Sequence, residues 1–159
     1  FGYAAGQADI RYRWFAPNDC VDKGEGDFQQ AIEQNANTLV GDIPKGKSNI
    51  RIELKTEGGK DVDIRVKDKE SGKFVIAWTG NSSTQGNLNG PNYECFEHSS
   101  GVEFCYSGYN GVDGDRGYEY ITIKGTLDRT FTMSAFGYRA GSASVRYAWG
   151  VESLEDSLF

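Results

Sequence analysis

The chain reads as an all-β protein, an antiparallel two-sheet jelly-roll-like sandwich, and three observations carry that reading. Apolar and polar residues alternate with period two in segment after segment, glycine-bearing turn signals separate those segments, and 21 glycines stand against 3 prolines. Aromatic residues make up 13% of the 159, which suits pleated, half-buried surfaces better than helices. The length fits one domain with a real core.

Taken in order, Ala8, Ile10, Tyr12 and Trp14 alternate with Asp9, Arg11 and Arg13, the pattern of a strand with one buried face. Residues 16–37 form an acidic link, in which Asp27 is placed to cap a short helix through Phe28, Ala31 and Ile32; Asn35 and Asn37 weaken its end. The sandwich is expected over 38–150. Its strands are read at Ile50–Leu54, Val62–Val66, Phe74–Trp78, Glu103–Tyr106, Tyr120–Ile123, Phe131–Phe136 and Ala143–Trp149, with turns at Glu57–Lys60, Lys69–Gly72 and Gly125–Asp128. Residues 151–159 read as an acidic tail or linker.

The chain nearly begins and ends on one motif. Phe1–Trp14 (FGYAAGQADIRYRW) matches Phe136–Trp149 (FGYRAGSASVRYAW) at nine of fourteen positions, Gly2, Gly6 and Arg11-Tyr12 among them. A match this long predicts one unit of a tandem array or processed polyprotein, with 1–15 as the last strand of the preceding unit. The missing initiator Met agrees with a fragment or a processed product.

Charge and cysteines narrow the setting. A net charge of −6 opposes nucleic-acid phosphates and anionic membrane surfaces, while cations and neutral ligands such as sugars remain compatible. No apolar run reaches the ~18 residues of a membrane span, and no signal-peptide pattern is present. Cys95 and Cys105 flank Ser99-Ser100-Gly101, a turn signal, so a hairpin would bring them into disulfide reach. That bridge argues for a secreted or cell-surface protein. Cys20 is left to be a buried thiol, a link to a partner chain, or the mate of a cysteine in another unit. Asn81-Ser82-Ser83 is a glycosylation sequon in the polar stretch Gly80–Pro91.

Ile43-Pro44-Lys45-Gly46-Lys47-Ser48-Asn49-Ile50-Arg51-Ile52-Glu53-Leu54, followed by Gly59-Lys60-Asp61-Val62-Asp63-Ile64-Arg65-Val66, resembles the opening strands of the bacterial pre-peptidase C-terminal domain, which is related to the collagenase collagen-binding domain. Tyr93-Glu94-Cys95 through Cys105 is similar to that family's disulfide-bearing hairpin, and Phe136-Gly137-Tyr138 with Ala143–Trp149 to its closing strands. The resemblance covers roughly residues 38–149. It implies a jelly-roll-like sandwich, calcium stabilisation as in some members, and an accessory role beside an enzyme or adhesin. Phe1–Trp14 departs from the single-domain pattern.

Calcium is the candidate cofactor. Asp113, Asp115 and Glu119 sit on the glycine-rich loop Gly111–Glu119, and oxygen ligands on a flexible turn suit a hard cation, although the spacing is not that of an EF-hand and Arg116 lies among them. Asp61 and Asp63 flank Val62 and so face one side of a strand, a second candidate pair. Asp19, Asp22, Glu25 and Asp27 make a third acidic run.

Catalysis finds little support. His98 is the one histidine and sits at a hairpin tip, where a solvent-facing role is expected. Trp78, Tyr93, Phe96, Tyr106, Tyr109, Tyr118 and Tyr120 surround the polar loops Gly80–Asn92 and Gly108–Gly117. Some of these rings belong in the core, and the rest form the kind of surface that stacks on sugar rings. Trp78, Asn89, Asn92, Tyr109 and Tyr118 are the candidate ligand-binding residues.

Two readings follow. One is a non-catalytic, calcium-stabilised extracellular module whose partner is a glycan or another extracellular polymer. The other is a structural subunit of a fibre, sheath or adhesin stalk, in which neighbouring repeat units or identical chains exchange strands. Neither reading calls for nucleic acid or membrane insertion.

Overall fold

The computed structural model describes residues 23–56, 60–77, 86–87, 93–107 and 117–159. The expected strand Phe1–Trp14 and the candidate residues Trp78, Asn89, Asn92, Tyr109, Asp113 and Asp115 lie outside these. So do Cys20, the sequon, and most of the turn at Glu57–Lys60.

The described residues fold into two sheets and no helix. The strands are β1 (Gly24–Ile32), β2 (Asn37–Ile43), β3 (Ser48–Thr56), β4 (Asp61–Asp68), β5 (Phe74–Ala77), β6 (Gly86–Asn87), β7 (Tyr93–Glu97), β8 (Glu103–Ser107), β9 (Tyr118–Thr126), β10 (Phe131–Arg139) and β11 (Gly141–Trp149). One sheet runs β1-β11-β3-β9-β8-β7 and the other β2-β10-β4-β5-β6. All pairings are antiparallel except the two-residue contact of β5 with β6. The core is the facing surface of the two sheets. Ile50, Ile52, Leu54, Ile121, Ile123 and Phe104 of the first sheet pack against Val62, Ile64, Val66, Ile76, Phe131 and Met133 of the second, as the period-two pattern requires.

The segment read as a capped helix at Asp27–Ile32 is instead strand β1. It pairs residue for residue with β11, from Gly24 opposite Trp149 to Ile32 opposite Gly141. Asp27 caps nothing and forms an ion pair with Arg146 at 3.2 Å. The reason is cross-strand packing. A Cβ on Gly24 would lie 2.1 Å from the Trp149 ring, and one on Gly26 2.3 Å from the Tyr147 ring, so the two rings fold over the bare backbone of β1. Glycines that disfavour a helix are thus what these aromatics need beside them.

The described copy of the repeated motif, Phe136–Trp149, is a corner. Phe136–Arg139 finishes β10 in one sheet and Gly141–Trp149 forms β11 in the other, so the chain crosses between sheets at Ala140. Gly137, the counterpart of Gly2, accepts the Asn35 N–H and donates to the Ala36 carbonyl at 3.1 Å. A Cβ there would meet the Glu33 carbonyl oxygen at 2.4 Å. No residue but glycine allows this approach of two backbones.

Candidate functional site

The outer face of the six-stranded sheet carries an aromatic surface built from β7 and β9. Alternation along β9 turns Glu119, Ile121 and Ile123 inward and leaves Tyr118, Tyr120, Thr122 and Lys124 outward. Tyr93 on β7 joins them and is 53% exposed. The ring centroids of Tyr93 and Tyr120 lie 5.9 Å apart, and those of Tyr118 and Tyr120 6.5 Å apart. Arg51 stacks on Tyr120 at 4.7 Å and the Lys55 ammonium stands 5.4 Å from the Tyr118 centroid, which orients both rings.

These tyrosines floor a groove of about 900 Å³. Asn49, Glu103, Thr122 and Lys124 supply polar groups on one side, and Ser153 and Glu155 on the other. The second wall is the segment expected to be a tail or linker. Residues 151–159 lie back across β3 and β11, where Leu154, Ser157 and Leu158 bond to Arg51 and Glu53.

The aromatic candidates therefore divide. Tyr118 lines the groove together with Tyr93 and Tyr120, whereas Tyr106 and Phe96 pack in or against the core. Period-two alternation already separates Tyr120 from Ile121. What the sequence hides is that β7, β9 and residues 151–159 meet on one face.

Cys95 and Cys105 stand directly opposite each other in the β7–β8 hairpin and form a disulfide, S–S 2.11 Å. Gly101 closes the turn at φ 75°. The bridge lies on the outer face, and Cys105 lines the groove. Reduction should lower the unfolding free energy by about 2 kcal/mol, because the short closed loop then gains freedom when unfolded. Parallel melting curves with and without reductant measure this.

A second feature joins the sheets. Asp63 of β4 and Glu119 of β9 share a hydrogen bond, and Glu119 Oε2 accepts the Ile64 N–H at 3.0 Å. Burial, and then the charge of Asp61, push the Asp63 carboxyl up to about 6, against the pull of Arg65 and the Glu119 hydrogen bond. Burial, and then the charge of Asp63, raise Glu119 well above the ordinary carboxylate range. Glu119 thus keeps its proton and donates it to Asp63.

Glu119, read in the sequence with a separate cluster, is thus brought by β9 to Asp61 and Asp63. Among the described residues no group of three or more His, Cys, Asp or Glu is arranged to hold a metal ion. The buried pair suits a hard cation in chemistry and falls short of it in ligand number.

His98 differs from its expected solvent-facing place. It is 9% exposed, with its ring edge-on to Phe104 and Phe131 at 5.6 Å each. Its Nδ1 accepts the Ser100 N–H at 3.2 Å, and burial, then the charge of Arg129, lowers its pKa. The hairpin turn folds the ring under itself, so the imidazole serves packing.

No protein-family model matches the chain, and a search of curated proteins finds no match either.

Proposed function

We propose that this chain is a non-catalytic extracellular binding module whose outer-face groove takes a neutral glycan. The observation that carries the reading is the row Tyr93, Tyr120 and Tyr118 along the floor of a polar-rimmed groove. Ring faces stack on the apolar faces of sugars, and amide, hydroxyl and carboxylate groups on the rims bond to hydroxyls. The charge of −6 favours neutral over acidic polymers. The Cys95–Cys105 bridge supports an oxidising, extracellular setting.

A cation bound between Asp63 and Glu119 would displace the proton that Glu119 holds toward Asp63 and tie the sheets together; burial of both carboxylates supports this part of the reading. Kinship with the pre-peptidase C-terminal domain belongs to the same proposal, and rests on the residues of β3 and β4 that resemble it.

Affinity electrophoresis through gels holding neutral polysaccharides tests the groove. One of them should retard the protein, and Tyr93→Ala should weaken that retardation about tenfold, or about 1.4 kcal/mol, without shifting the melting temperature. If no polysaccharide retards the protein, the reading fails.

One observation favours a structural subunit instead. The outer edge of β1 pairs with no strand among the described residues over its whole nine-residue length, and an edge that long invites another strand. Deleting residues 1–15 distinguishes the two: loss of assembly with an unchanged fold favours the subunit, and unchanged glycan binding by a monomer favours the module.

A further inference from the structure

Charged residues on the outer face of a sandwich normally stand in water, yet Glu53 is 0% exposed and Arg51 5%. What covers them is residues 151–159. Glu53 Oε1 takes the Arg51 Nε–H, and Glu53 Oε2 takes the Ser157 hydroxyl and the Leu158 N–H, each at 3.1 Å. Arg51 Nη1 donates to the Leu154 carbonyl, and Arg146 Nη1 to the Leu158 carbonyl at 2.8 Å. The Phe159 ring is held between the Lys55 ammonium, 4.4 Å from its centroid, and the Arg146 guanidinium, at 4.7 Å.

This is how a peptide ligand is read, not how a strand is held. Both backbone groups of Leu158 are bonded by charged side chains, a Ser precedes it, and an aromatic ring follows between two cations. Residues 152–159 join no strand. The last sheet-type bond before them is the Val151 N–H to the Asn49 carbonyl, 3.2 Å, just after Gly150 turns the chain at φ 67°. A segment held beyond a turn by such a socket and one exposed ion pair, Lys23 to Glu152 at 2.7 Å, is of the kind that exchanges between identical chains.

We propose that Arg51, Glu53, Lys55 and Arg146 form a peptide-docking socket, and that its intermolecular partner is the Leu154–Phe159 segment of a second copy of this chain. In the exchanged pair each groove is walled by Ser153 and Glu155 of the other copy. Docking in cis competes strongly, because a tethered segment acts at an effective concentration in the millimolar range. Exchange is therefore exposed by separating socket from segment.

The test mixes two full-length variants. In the acceptor, Leu158→Pro with Phe159→Ala removes the N–H that Glu53 takes and the ring between the cations; in the donor, Arg146→Glu breaks the socket and leaves the segment intact. Arg146 lies at the surface of β11, so the donor retains its core, and Phe159→Ala alone serves as a milder acceptor. Sedimentation of the mixture should give a one-to-one heterodimer while each variant alone stays monomeric. A fluorescent amidated peptide of residues 151–159 should bind the acceptor at least tenfold more tightly than it binds the donor. A mixture that remains monomeric overturns the proposal, as does equal binding of a peptide N-methylated at Leu158. Glycan retardation measured in parallel on the unmodified protein, whose groove keeps both walls, separates this outcome from failure of the groove reading.

Discussion

Replacing Gly26 with valine should lower the unfolding free energy by about 3 kcal/mol, the scale of overpacking in a filled site. The Tyr147 ring occupies the space where a side chain at residue 26 would go, its nearest atoms 2.3 Å from an ideal Cβ. A valine forces that ring out from its place against the core, and the neighbouring Trp149 ring, 6.4 Å away and nearly parallel, loses its stacking partner. Tyr147→Ala in the same chain should recover part of the loss, because it empties the contested space; a urea-denaturation double-mutant cycle measures the coupling. Additive losses would mean that the ring and the glycine do not contend for one space. Gly41 is a suitable control, since a Cβ there meets only ordinary contacts, the nearest at 3.6 Å.

Asp63→Asn should make the protein more stable at pH 8 and change it little at pH 4. The Asp63 carboxyl is raised to about 6 in the folded protein, above the roughly 3.9 of an unfolded chain. A raised folded value means that the native state binds more protons than the unfolded state between those limits. Its contribution is therefore fully present below about pH 4 and is lost as pH rises through 6. A shift of about two pKa units corresponds to about 2–3 kcal/mol. Asparagine carries no charge to desolvate and still accepts the Glu119 hydrogen bond.

His98 runs the other way. Its lowered pKa means that stability is lost as pH falls through the ordinary histidine value near 6.5. The difference between the two proteins, not either curve alone, therefore isolates the Asp63–Glu119 pair. Chemical denaturation from pH 4 to 8 reads it, and identical slopes would refute the assignment. Calcium in the millimolar range of extracellular modules should raise the melting temperature at pH 8 in the unmodified protein and lose most of that effect in Asp63→Asn, if the pair holds a cation.

Several elements are legible in the sequence alone. Ile50-Arg51-Ile52-Glu53-Leu54 and Val62-Asp63-Ile64-Arg65-Val66 declare strands by alternation, and each is one, in β3 and β4. The cysteines flanking Ser99-Ser100-Gly101 declare a hairpin, which the β7–β8 pairing and its disulfide form. These signals are local: a period, a turn residue and a short loop are written within ten residues of one another.

β1 was illegible for the opposite reason. Gly24-Glu25-Gly26-Asp27-Phe28 has weak strand propensity of its own, and it becomes a strand because Tyr147 and Trp149, more than a hundred residues later, lie across its glycines. The candidate site shows the same division. Alternation separates Tyr120 from Ile121, and Asp61, Asp63 and Glu119 stand out in the sequence as candidate cation ligands in two separate clusters. That Glu119 reaches across to Asp63, that Tyr93 comes to lie beside Tyr120, and that residues 151–159 fold back to bury Glu53 are facts of tertiary structure alone. The sequence by itself determined which residues turn inward along the strands whose alternation is legible, such as β3 and β4, since that depends on a period of two. The order of strands in the two sheets decided which outward residues meet, because neighbours across a sheet or between sheets are set by pairings that join distant parts of the chain.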